Sequence, residues 1–154
     1  MSVVIEQRVS AGAAPKDVFA FLHDPDRRRQ WDAMTDLARL EDATEPAAGV
    51  RLHLRGRRTA PSWVGEYTEL APPRRSVLCL VEGVGMPFSA FSQTIEVVAV
   101  KGGSTVTLRL DYQPRGLASL LEPVVLRPRL TKAVRRSLAS ISSHFVSSAP
   151  DREP

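Results

Sequence analysis

Apolar residues recur along this chain at two periods, and the switches between them outline the elements. The opening stretch MSVVIEQRVSA alternates weakly, with Val3, Ile5, Gln7 and Val9 on one side. A spacing of two predicts a strand. In APKDVFAFLHD, Val18, Phe19 and Leu22 recur at helical spacing behind Pro15, which suits a first helical position. Asp24-Pro25 starts a second short helix in the same way, the aspartate serving as cap. That helix carries Arg27, Arg28 and Arg29 and ends near Trp31.

The middle of the chain returns to a period of two. Val50, Leu52 and Leu54 alternate with Arg51, His53 and Arg55. SWVGEYTEL, the turn PPRR and SVLCLV follow. FSQTIEVVAV puts Phe91, Gln93, Ile95, Val97 and Ala99 on one side. Gly102-Gly103 marks a tight hairpin into STVTLRLDY, where Val106, Leu108, Leu110 and Tyr112 share a face. One-sided strands imply an antiparallel sheet with one covered face. From Leu117 to Phe145 the spacing becomes three and four, cleanest at Val134, Leu138, Ile141 and Phe145. Pro123 and Pro128 interrupt the first half, so the helix is expected to start near Pro128. A helix over 129–146 would run about 27 Å, enough to cross a sheet. The order is strand, two short helices, about six strands and a long helix. An α+β architecture satisfies it: a curved antiparallel sheet wrapped round the terminal helix. Such curvature leaves an apolar space between sheet and helix, a usual place for a ligand.

Three stretches carry a family resemblance. They are APKDVFAFLHDPDRRRQWD (Ala14 to Asp32), YTELAPPRR (Tyr67 to Arg75) and GGSTVTLRLDY (Gly102 to Tyr112), followed by the terminal helix. Over roughly residues 3–146 the chain resembles the polyketide cyclase/dehydrase and lipid-transport group of the START-like superfamily (SRPBCC, Bet v 1-like). The resemblance implies the helix-grip fold and a START-like ligand-binding domain over 1–146; the polar stretch 147–154 reads as a disordered tail. It also implies a core-packing role for Trp31. These are scaffold motifs, and the superfamily includes lipid carriers, plant hormone and allergen proteins, and aromatase/cyclases. Fold alone does not choose among them.

Composition narrows the choice. The chain has 154 residues, one domain's worth, and a net charge of +4 with acids and bases interleaved. No aromatic platform interleaves with the arginine run, so nucleic acid is not expected as a partner. Arg27, Arg28 and Arg29 read as a solvated helix face, with at least one stem laid over Trp31 and a weak membrane-surface contact left open. Lone Cys79 excludes an internal disulfide and reads as a buried small hydrophobe. No 18-residue apolar run and no signal-peptide pattern is present, and a cytoplasmic location is expected.

Catalytic chemistry is sparse. His23, His53 and His144 have no metal-ligand spacing, and no cofactor fingerprint occurs, so neither metal nor cofactor is expected. His53 and His144 are expected at the surface and His23 in the turn between the short helices. Glu66 and Glu69 differ in parity and share a face only if a bulge intervenes; Arg109 and Asp111 read as a surface pair. The expected cavity wall is apolar with few polar handles: Trp63, Tyr67, Phe91, Gln93 and Tyr112. Met86 and Phe88 would form a lip, and Leu120, Leu121 and Val124 would gate the opening. Tyr67, Gln93 and Tyr112 are the proton-handle candidates, none firmly catalytic. Three functions remain open: binding or transport of a small hydrophobic ligand, a polyketide cyclase, aromatase or dehydratase, and a protein-partner module with a closed core.

Overall fold

A computed structural model describes residues 2–147. The elements are β1 (Val3–Ala11), α1 (Pro15–His23), a 3₁₀ turn (Pro25–Gln30), β2 (Thr35–Leu40), β3 (Arg51–Gly56), β4 (Trp63–Ala71), β5 (Arg75–Glu82), β6 (Phe88–Val100) and β7 (Gly103–Pro114). α2 (Leu117–Leu121), a π turn (Glu122–Leu126) and α3 (Arg127–Ser147) complete the chain. The strands form one seven-stranded sheet in the order β1-β7-β6-β5-β4-β3-β2. Every pairing is antiparallel. This is the architecture that the pattern predicts and the helix-grip fold that the resemblance implies. The expected tail falls almost wholly outside the described residues.

Breaks in register curl the sheet. The pairing shifts at Thr35/Leu37, Val64/Gly65, Tyr67/Glu69 and Phe88/Ala90, and each bulge adds local twist. Gly65 adds to the bend: a Cβ there would lie 2.8 Å from the Leu78 side chain and 2.9 Å from the Trp63 ring. The Tyr67/Glu69 bulge brings Glu66 opposite Cys79 and Glu69 opposite Val77, which puts both carboxylates on the outer face. Their partners are Arg51 and Arg75, so they form no acid/base pair. Cys79 faces outward beside Thr68 rather than into the core, because its neighbour Leu78 takes the inward position.

β2 has no counterpart in the sequence reading. Thr35 and Ala38 are its buried residues while Leu37 is exposed, so apolarity does not alternate with the pleat. The hairpin at Lys101-Gly102 is as expected, with Gly102 at φ 86°. α3 starts at Arg127, close to the expected Pro128, but helical backbone already begins at Leu117. The π turn makes this continuity workable. Pro123 has no N–H to give, and the Arg127 N–H reaches back five residues to the Glu122 carbonyl. α3 buries Leu130, Val134, Leu138, Ile141 and Phe145, each worth about 1.5–3 kcal/mol of apolar transfer. Its principal sheet contact is β1, with a lesser one to β7. Beyond β6 the sheet curls away from the helix.

Candidate functional site: a cavity between sheet and helix

The space left by that curl is a cavity of about 700 Å³. Trp63 on β4, Phe88 and Phe91 on β6, and Leu108 and Leu110 on β7 supply its sheet wall. Met86 closes it from the β5–β6 loop, and Leu126, Leu130, Ala133 and Val134 face them from the helical side. The aromatic wall is interlocked. Trp63 meets Phe91 edge-on with centroids 5.2 Å apart, and Phe88 lies 5.0 Å from Phe91. Trp63, Phe91 and Gln93, read from strand alternation, and Met86 and Phe88, read as a lip, thus come together on one cavity.

One end of the cavity is polar and built on the 3₁₀ turn. Arg28 is only 2% exposed, so the arginine run is not a uniformly solvated face. Its Nε donates to Asp32 Oδ2 at 2.9 Å, and its Nη2 donates to Gln93 Oε1 at 2.5 Å. Its guanidinium sits 4.9 Å from the Trp31 ring centroid, so it is the charged head, where the spacing suggested the stem, that meets the ring. Arg27 turns instead to the Phe21 ring, also at 4.9 Å. Asp32 is fully used, accepting also from the Thr35 hydroxyl at 2.8 Å and the Met34 N–H at 3.0 Å. A guanidinium offers only donors, so Gln93 must turn its oxygen to Arg28 and leave its NH₂ without that partner. The Trp31 Nε1–H is buried with no acceptor. A stranded donor of this kind costs about 1–3 kcal/mol. Trp31, Asp32 and Gln93 all line the cavity.

Behind this end lies His23, buried rather than in an open turn. Its Nδ1–H donates to the Phe19 carbonyl at 2.8 Å, and its Nε2 accepts from the Ser76 hydroxyl at 2.6 Å. Burial, reinforced by the nearby Arg28 charge, lowers its pKa to about 4. His144, expected at the surface, is half-buried and stacks on Phe21 at 4.0 Å because it lies beside the apolar stripe of α3. His53 stays at the surface, next to Glu41.

Four sequence candidates lie elsewhere. Tyr67 points inward but is covered by the plug of α1 and the 3₁₀ turn, its ring centroid 6.1 Å from that of His23. Burial raises its pKa. Tyr112 is fully buried under Phe88, and its hydroxyl donates to Glu122 Oε1 at 2.9 Å. Burial first, and then that carboxylate, push the phenol up. Leu121 and Val124 are 52% and 73% exposed. The π turn brings Glu122, Leu126 and Leu130 onto the inner side and turns Leu121 and Val124 to the outside, where they border no part of the cavity.

Pattern reading misses Arg28 and Asp32, whose i,i+4 spacing was the available clue, and the rim. Arg29, Arg57, Arg58, Arg129 and Arg136 surround the mouth. They come from the 3₁₀ turn, the β3–β4 loop and α3, so no single stretch displays them together.

The family model for polyketide cyclase/dehydrase and lipid transport matches residues 2–146. The chain belongs to this family. Among curated proteins none matches the sequence. Several solved structures share the fold. Ara h 8.0201 superposes with a TM-score of 0.73 at 12% identity, covering 96% of this chain and 100% of that one. The major latex-like protein 151 of Panax ginseng gives 0.73 at 14% identity, covering 94% and 98%. The di-domain ARO/CYC StfQ of the steffimycin biosynthetic pathway gives 0.77 at 12% identity over 96% of this chain and 51% of that one. At such identities the likeness establishes the fold alone. No helix among the described residues is long and apolar enough to cross a membrane.

Proposed function

We propose that this family member binds a small hydrophobic molecule in the cavity between the sheet and α3. The observation that carries the reading is the cavity itself: about 700 Å³ walled by Trp63, Met86, Phe88, Phe91, Leu108 and Leu110. Volumes of this order are usual for small-molecule sites, and burial of an apolar body against such a wall supplies the binding free energy. Trp63 and Phe91 grip the apolar body, and Gln93 is the polar contact. A module that only binds protein partners would have no need of such a space. A cyclase on this scaffold would need a proton handle on the wall. The Tyr112 hydroxyl is on Glu122 and the Tyr67 hydroxyl lies beside the Arg28 guanidinium, neither residue lines the cavity, and Gln93 has no titrating proton, so the binder is the better-supported reading.

The test is mass spectrometry of an organic extract from gently purified protein, with titration of the neutral dye Nile red alongside. Wild type should show one saturable dye site. Ala133→Phe, on the helical wall, should weaken it by about tenfold, equivalent to about 1.4 kcal/mol. Equal dye binding by wild type and Ala133→Phe, with an empty extract, would refute the reading.

A further inference from the structure

The lining of the cavity is one-sided in its hydrogen-bonding capacity. Among the described residues, Trp31 Nε1–H, the Gln93 amide NH₂ and the Ser137 hydroxyl hydrogen have no protein acceptor. Ser137 Oγ already accepts from the Ala33 N–H at 2.9 Å. Asp32 is the one carboxylate in the lining, and its oxygens are committed to Arg28, Met34 and Thr35. At the polar end, therefore, the Gln93 NH₂ and the Ser137 hydroxyl hydrogen are left to donate while the Asp32 carboxylate is engaged.

The mouth repeats this asymmetry in charge. The side chains of Arg58, Arg129 and Arg136 make no ion pair or hydrogen bond with another described residue, and Arg57 Nη2 reaches only the Arg29 carbonyl. On the outer face of the sheet, by contrast, Arg51, Arg75 and Arg109 have carboxylate partners in Glu66, Glu69 with Glu96, and Asp111. Asp36, bonded to Arg55, lies within electrostatic reach of Arg29 and Arg57, so the unpaired charge of the mouth rests on Arg58, Arg129 and Arg136; an arginine-rich composition alone would not leave these three unpaired while pairing that face. Arg129 and Arg136 are seven residues apart, two helical turns, and so lie along one side of α3 above the opening.

Resting on the binding reading above, we infer that the ligand is an anionic amphiphile. Its apolar body fills the cavity, and a carboxylate or phosphate group at one end meets the arginines of the mouth. A guanidinium pairs such groups through two parallel N–H donors. Acceptor oxygens along the ligand body would take up the interior donors.

The experiment compares probes with the same twelve-carbon tail below their micellar concentrations: dodecanoate, dodecanol and dodecyltrimethylammonium. Each displaces Nile red from the full chain at low ionic strength. Dodecanoate should bind at least about tenfold tighter than dodecanol, and the cation weaker than both. The gap should narrow in about 0.5 M salt, where charge is screened within a few ångströms. Arg129→Gln with Arg136→Gln should remove most of the preference, the variant's dodecanol affinity reporting that the cavity is intact. Arg39→Gln with Arg74→Gln, the same charge loss away from the mouth, should preserve it. Equal binding of dodecanoate and dodecanol would overturn this inference and leave the cavity reading standing. Failure of every probe and of the dye would overturn both. Sedimentation of the chain with phosphatidylglycerol vesicles, without preference among the soluble probes, would assign the arginines to a membrane surface and overturn the inference as well.

Discussion

Replacing Arg28 by methionine tests whether the 3₁₀ turn is held by a buried charge network. Methionine keeps an unbranched apolar side chain in place of the stem and removes the guanidinium. What is lost is the 2.9 Å bond to Asp32, the 2.5 Å bond to Gln93 and the stacking at 4.9 Å. Removing one partner of a buried ion pair costs about 3–5 kcal/mol, because the other charge stays behind in low dielectric. Asp32 would keep its bonds from Thr35 and Met34, which holds the expected loss near the lower end, about 3 kcal/mol. Arg27→Met removes only a surface cation–π contact and should cost about 0.5–1 kcal/mol. Urea unfolding followed by tryptophan fluorescence reads both, with the slope against urea unchanged if the folded and denatured states keep their compactness. Combining Arg28→Met with Asp32→Asn closes a double-mutant cycle, whose coupling should be about 2 kcal/mol. If Arg28→Met is no more harmful than Arg27→Met, the arginine run is a solvated face after all and the network argument is wrong.

Two further outcomes follow from the buried groups. His23 has a folded-state pKa lowered from 6.5 to about 4, so the unfolded chain binds its proton first as the pH falls. Its contribution to stability is fully present above pH 6.5 and erodes on the way down to pH 4, by about 3 kcal/mol in all. His23→Gln should flatten the pH dependence of chemical unfolding in that window; an unchanged slope would contradict a buried neutral imidazole. Tyr112→Phe should cost about 1.5–3 kcal/mol, the worth of a hydrogen bond to a charged group, while Glu122 keeps its two bonds from Arg127. Because Tyr112 does not line the cavity, Nile red affinity should be unchanged, and a large loss of binding would restore Tyr112 to the site.

Much of the architecture was legible because burial and local period agree. Val106, Leu108, Leu110 and Tyr112 all point inward as alternation requires, and Val134, Leu138, Ile141 and Phe145 all lie on the buried side of α3. Where period and burial part, the reading failed. β2 carries Leu37 outward, and at the π turn one extra residue in the hydrogen-bonded ring moves Leu121 and Val124 out of the expected stripe. Phe91 and Gln93 reach the cavity because strand parity decides for them, while Met86 comes from the β5–β6 loop and Phe88 is turned inward by the register shift at Phe88/Ala90. Tyr67 shares that inner face yet is covered, since parity says which side a residue faces but not which part of that side a distant helix plugs. The rim arginines were illegible for a related reason: only the tertiary fold brings the 3₁₀ turn, the β3–β4 loop and α3 to one opening.

Arg28 ties these levels together. One residue of a run that reads as surface charge anchors the plug that covers Tyr67 and also sets the orientation of Gln93 in the cavity. A free glutamine amide could present either its oxygen or its NH₂ to a ligand at little cost. Clamped by a guanidinium that can only donate, it presents the NH₂. The polar end thus acquires a fixed sense, donors toward the ligand, from the same bonds that neutralise Asp32 and fasten the 3₁₀ turn. That sense matches the unpaired cations at the mouth. On the proposed binding reading, a wall of apolar residues with fixed donors at one end and positive charge at the entrance would discriminate among greasy molecules by their acceptors rather than by their size alone.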